Sequence, residues 1–112
     1  ITRLTKRQEF LRVARHGKKC VAHTMVLQTA PRVCATEAPS MIAVGFTATK
    51  KLGGAVVRNR IKRRLRAAVD TVMPDAAHAG HDYVLIGRKT ALNAPFEKIC
   101  KDLQWALRKL HA

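Results

Sequence analysis

Acidic residues are scarce in this chain and absent altogether between Ala38 and Val69. Seven Asp and Glu stand against 22 Lys and Arg, a formal charge of +15. Charge of one sign at this density repels itself, so the matching partner is a polyanion that neutralises it. The same scarcity bears on catalysis. A protein nuclease gathers carboxylates or histidines around metal ions, or sets an acid against a base. Here Glu9, Glu37, Asp70, Asp75, Asp82, Glu97 and Asp102 are scattered singly, with no dyad or metal-ligand spacing. That weighs against catalytic side chains, although sequence distance does not exclude a cluster formed in space.

Other absences narrow the class further. No apolar run approaches the roughly 20 residues that span a bilayer, so no membrane partner is expected. No signal-peptide pattern opens the chain, and the expected location is cytoplasmic. The three cysteines, Cys20, Cys34 and Cys100, are odd in number and form no Cys-x-x-Cys pair, which argues for reduced thiols over a disulfide framework. Cys20 with His23, or His78 with His81, match no standard zinc module, and no metal site is expected. What remains is a folding chain. Apolar residues make up 47% of its 112 residues, enough for one core and a single domain over 1–112.

Thr5-Lys-Arg-Gln8 resembles a capping box, and the helix it opens carries Phe10, Val13 and Ala14 on one side and ends at Gly17. Cys20 to Ala30 turns to strand composition. Pro31 to Ser40 reads as a loop, and Met41 to Ala48 alternates with Ile42, Val44, Phe46 and Ala48 on one face. A basic turn from Lys50 to Gly54 leads to a helix from about Ala55 to Val72, stopped by Pro74. A polar loop over 75–81 precedes a short strand, Asp82 to Gly87. Asn93-Ala-Pro95 opens a last helix with Phe96, Ile99, Cys100, Leu103, Leu107 and Leu110 as its apolar set. The order is α-β-β-α-β-α, an α/β (α+β) two-layer sandwich with a small sheet.

Eight of the seventeen residues from Lys50 to Arg66 are basic. At about 100° per residue, Val57, Ile61, Leu65, Ala68 and Val72 share one narrow stripe that can face the sheet. Arg58, Lys62 and Arg66 form a row beside it, Asn59 and Arg63 lie further round, and Arg60 and Arg64 flank the other side. A solvated helix face normally mixes both signs, because acid–base pairs at i,i+4 stabilise a helix and like charges destabilise it. No acid compensates here, and arginine prevails, which suits bidentate phosphate contacts and stacking on bases. The apolar edge is too narrow for a membrane-surface helix and is needed for the core.

The segment Ala43-Val-Gly-Phe-Thr-Ala-Thr-Lys-Lys-Leu-Gly-Gly-Ala-Val-Val-Arg-Asn-Arg-Ile-Lys-Arg-Arg-Leu-Arg66 resembles the Arg-Asn-Arg region of the bacterial ribonuclease P protein family. Leu4 to Phe10 with His16-Gly17, Asp82 to Ala91, and Phe96 to Lys109 resemble the family's first helix, last strand and closing helix, so nearly the whole chain is covered in order. The resemblance implies a ribosomal-protein-like fold with a small mixed sheet and a left-handed β-α-β crossover, against the usual right-handed rule. It also implies a small protein bound to a catalytic RNA, removing 5′ leaders from precursor tRNA. The RNA would hold the Mg²⁺ ions, and no obligate protein partner would be needed.

On that resemblance, Lys50, Lys51, Arg58, Asn59, Arg60, Lys62, Arg63, Arg64 and Arg66 meet the catalytic RNA. Phe10, Val26, Gln28, Thr47, Thr49, Arg88 and Lys89 meet the leader, with the Phe10 ring stacking on an unpaired base. Two departures stand out. Ala14 replaces an aromatic that the family often carries four residues after the first, and Gln28 sits where some members have tyrosine. Plain core packing is the competing role for Phe10. The rival functions are a ribosomal or RNA-chaperone protein and a self-sufficient nuclease.

Overall fold

Five strands form one mixed sheet in the computed structural model of the chain, which describes residues 2–31, 42–77 and 80–111. They are β1 (Thr2–Arg3), β2 (Lys18–Val21), β3 (Met25–Pro31), β4 (Ala43–Thr47) and β5 (His81–Gly87), laid side by side as β1-β4-β5-β3-β2. β4 pairs in parallel with β1 and β5, whereas β3 is antiparallel to β5 and β2. Parallel neighbours need a crossover. Between β4 and β5 it is supplied by a single 3₁₀ turn, Lys50–Leu52, and the long helix α2 (Ala55–Ala76). With α1 (Arg7–His16) and α3 (Phe96–Leu110), this is the expected α+β sandwich, extended by the two-residue β1.

Side chains alternate across a strand, and the two sheet faces are covered unequally. Met25 and Leu27 of β3, Val44 of β4, and Tyr83 and Leu85 of β5 face a large core roofed by α2 and α3. Ala30, Ala43 and Val84 point the other way, into a small core closed by Leu4 and Val13, with Phe10 and Ile86 packed against it. Of the expected apolar stripes, Ile61, Leu65, Ala68 and Val72 of α2 and Ile99, Leu103, Leu107 and Leu110 of α3 are buried. Each large one stabilises the fold by about 1.5–3 kcal/mol. On α1 only Val13 is buried, and Ala14 is exposed.

Five local expectations need correction. Cys20 to Ala30 is two antiparallel strands, reversed where the Ala22 N–H bonds the Met25 carbonyl. No glycine or proline marks that turn; Thr24 is fixed instead by Asp102, which accepts from its N–H at 3.0 Å and its hydroxyl at 2.7 Å. Pro74 does not stop α2, because an exposed proline forfeits one backbone bond while buried Val72 and Met73 hold the last turn down. Thr5 caps nothing: Lys6 is the cap residue and makes no side-chain cap bond. Ala76 being helical, the polar loop begins later than residue 75. The loop expected from Pro31 to Ser40 begins later, since Pro31 ends β3, and its remainder lies outside the described residues.

Candidate nucleic-acid interface

Because α2 buries one stripe, the remainder of its surface is left to cations. Asn59, Arg60 and Arg63 are exposed, and Arg58, Lys62 and Arg66 form a half-buried row. Thr49, Lys50 and Lys51 are exposed on the turn before it. Gly53 there has φ +140, open to glycine and rarely to other residues, and a Cβ would press within 3.2 Å of Val57. Gly54 begins the helix without a side-chain cap, and the first turn holds no acid. Among the described residues, the Nε atoms of Arg58 and Arg66 are buried without a hydrogen-bond partner.

Arg64 is placed differently from its neighbours. Its Nη1 donates to the carbonyls of Ala91 at 2.8 Å and Leu92 at 2.9 Å, and its Nη2 donates to that of Ala94. The guanidinium is thus engaged inside the protein, pinning α2 to the segment that precedes α3. Arg66 instead lies over the Phe46 ring, 5.7 Å from its centroid, with Arg3 at 6.0 Å. These are cation–π distances that leave guanidinium donors free for a ligand.

On the lightly covered face the strand register builds three rows. Val26, Ile86 and Thr47 are cross-strand neighbours; so are Gln28, Val84 and Gly45, and then Ala30, Asp82 and Ala43. α1 closes over the third row. Arg12 donates to the Pro31 carbonyl at 2.9 Å and forms an ion pair with Asp82, while Val13 packs on Ala30 and Ala43. The first row, with Val26, Ile86 and Thr47 all half-buried, stays open.

Phe10 sits between these regimes. It is half-buried against the small core, and its ring lies so close over Gly45 that an added Cβ would fall 2.5 Å from Cε1 and Cζ. Core packing and an accessible ring edge therefore coexist. Beside it opens a cleft of about 460 Å³ lined by Thr5, Arg7, Phe10, Leu11, Phe46, Thr47, Ala48 and Lys62. Phe10 and Thr47, assigned to the leader, thus share one cleft with Lys62, assigned to the catalytic RNA. Val26 and Gln28 lie on the same sheet face. Thr49, Arg88 and Lys89 are not part of this cleft. Arg88 is held at the far end of the open row, its N–H on the Thr24 carbonyl and its Nη1 on that of Ala22 at 2.8 Å; Lys89 is exposed beside it.

Sequence reasoning missed Thr5, Arg7, Leu11, Phe46 and Ala48 as cleft residues. Alternation places Phe46 on the same strand face as Val44, and it does touch the large core. It reaches the cleft because β1 pairs only with Ala43 and Val44, which leaves the outer half of β4 as an open edge. No sequence signal marks that edge. Among the described residues, no three His, Cys, Asp or Glu are grouped to hold a metal ion, and no helix is long and apolar enough to cross a membrane.

The arrangement can bind phosphates along α2 and stack or cradle unpaired bases between α1 and the sheet. Comparison with known proteins gives the family. The Ribonuclease P family model matches residues 1–111. The chain is 46% identical over 112 residues to the ribonuclease P protein component of Paramagnetospirillum magneticum, covering all of this chain and 84% of that one. It is 50% identical over 113 residues to that of Ruegeria pomeroyi, covering all of this chain and 88% of the relative. The RNase P protein of Staphylococcus aureus superposes with a TM-score of 0.78 at 26% identity, over 97% of this chain and 94% of that one. That of Thermotoga maritima shares the fold with a TM-score of 0.76 at 24% identity, over 98% and 96% of the two chains. A cationic helix beside an open sheet face, a family match over residues 1–111 and relatives 46–50% identical over the whole chain lead to one conclusion: the chain belongs to the ribonuclease P protein family.

Proposed function

We propose that this chain, as the protein subunit of ribonuclease P, holds two RNAs at once. α2 and the turn before it bind the RNase P RNA, and the cleft between α1 and the sheet binds the 5′ leader of precursor tRNA. The holoenzyme removes that leader endonucleolytically, with Mg²⁺ held mainly by the RNA, which supplies the catalysis. This chain supplies position and charge. Its cations offset repulsion between two polyanions, which lowers the Mg²⁺ requirement, and its leader contacts favour precursor over mature tRNA. The whole chain acts as one RNA-binding unit in the cytoplasm, without an obligate protein partner.

One observation carries the reading: Lys62, in the cationic row of α2, lines the same cleft as Phe10 and Thr47. A strand leaving the catalytic RNA along α2 can therefore pass directly onto the sheet. Within α2, Arg58, Asn59, Arg60, Lys62, Arg63 and Arg66 are assigned to RNA, and Arg64 to holding the helix in place.

Precursor-tRNA cleavage at low Mg²⁺, with the protein, the catalytic RNA, or both, tests the assignment. Only the mixture should be active. Cleavage by the protein alone would make it a self-sufficient nuclease, and no stimulation of the RNA would favour a ribosomal or chaperone role. Phe10→Ala should weaken precursor binding by about five-fold or more, the loss of one stacked base, and leave mature tRNA unaffected. Equal loss for both would remove Phe10 from the leader site.

A further inference from the structure

The open row on the lightly covered face does not end at β3. Val21 is the cross-strand partner of Val26, so the row runs Thr47, Ile86, Val26, Val21 over four strands. Three strand spacings carry it about 14 Å across the sheet. Val21 is 54% exposed, and it also lines a second, larger cleft of about 620 Å³ between the β2–β3 turn and α3.

Trp105 stands in that second cleft, 40% exposed, with Lys109 Nζ 5.9 Å from its ring centroid. Lys98, Lys101 and Arg108 line it with His23. Its one carboxylate, Asp102, is buried: Oδ2 accepts both bonds from Thr24, and Oδ1 pairs with Lys98 at 2.9 Å. The cleft is therefore cationic around an indole ring. Arg88, just past the end of β5, is tied to the Ala22 carbonyl of the same turn.

We infer that this second cleft is a single-stranded RNA site, occupied by the part of the precursor leader that extends beyond the sheet. The inference rests on the leader reading proposed above and extends it to the opposite edge of the molecule. Two observations select this occupant. The charge is complementary to a phosphate backbone, while the exposed ring offers a stacking platform that accepts any base. The cleft also shares Val21 with the open row, so a strand crossing the sheet from the α2 side reaches it by turning round the β2 edge. A bare Trp105–Lys109 pair at i,i+4, packing on its own helix, is the competing account.

The test uses the holoenzyme reconstituted with its catalytic RNA, under conditions that permit binding without cleavage. Two precursor tRNAs differ only in leader length, about 4 and about 12 nucleotides, the range of single-strand sites on small domains. Trp105→Ala should weaken the long-leader precursor by about five-fold or more and spare the short one, and Trp105→Phe should restore most of the loss. Lys101→Glu, on an exposed position, should repeat the selective loss without touching the ring. Phe10→Ala should weaken both precursors. Loss of equal size for both leaders, or weaker assembly with the catalytic RNA, would assign the cleft to another RNA and overturn the inference. So would Trp105→Ala and Lys101→Glu both leaving every affinity unchanged. If Phe10→Ala also spares both precursors, the leader reading itself fails, separately from the cleft.

Discussion

Arg60 and Arg64 stand one turn apart on α2, yet the structure gives them different partners. Arg60 is exposed, whereas Arg64 donates to the carbonyls of Ala91, Leu92 and Ala94. We predict that Arg64→Ala lowers thermal stability, by about 1–3 kcal/mol for the charge-assisted bonds lost, and leaves the salt slope of RNA binding intact. Arg60→Ala should instead keep stability and flatten that slope by about one. Calorimetry and a salt titration on the two variants decide the matter. An Arg64 variant with unaltered melting and a flattened slope would mean that the side chain serves RNA after all. Helical spacing placed both arginines off the apolar stripe, and correctly so. It carried no information about three carbonyls that only the tertiary fold delivers. Phe10 teaches the same lesson, since its seat depends on Gly45 in a strand far along the chain.

At the scale of elements, periodicity was a good guide to α2 and α3 because their apolar stripes are long and regular. It failed where a distant residue sets the structure. The β2–β3 turn is held by Asp102 of α3, and nothing local in Cys20 to Ala30 announces it. Burial pushes the Asp102 carboxyl upward, but the hydrogen bonds from Lys98 and Thr24 and the Lys98 charge outweigh it, and its pKa falls below the usual carboxylate value. A lowered folded-state pKa stabilises the native state above the unfolded value, about 3.9. That contribution is lost as pH falls through the folded value. Asp102→Asn should therefore cost about 1–3 kcal/mol near neutrality, with the gap to the parent shrinking below about pH 4. A gap that stays constant in denaturation curves down to that range would mean the ionised form contributes nothing. Nearby, burial followed by the Glu97 charge pushes the Cys100 thiol up, which keeps it a packing residue more than a nucleophile.

For the whole molecule, charge imbalance points to a polyanion, and the family resemblance points to RNA and to the architecture. Neither showed how unevenly the sheet is covered. α2 and α3 together seal one face over the large core, and on the other α1 alone rests on Val13, half of Phe10 and the Arg12–Asp82 pair. Local opening follows the amount of apolar surface that must be exposed, so we predict two units of unequal stability, one to each face. Native-state hydrogen exchange should find the α1 amides opening at lower free energy than those of α2, β3 and β5. Identical protection throughout would mean a single cooperative unit. On the proposed reading, unequal units would give the protein a division of timing: α1 would lift and reseat as leaders of different sequence come and go, while the helix assigned to the RNase P RNA would keep its grip from one turnover to the next.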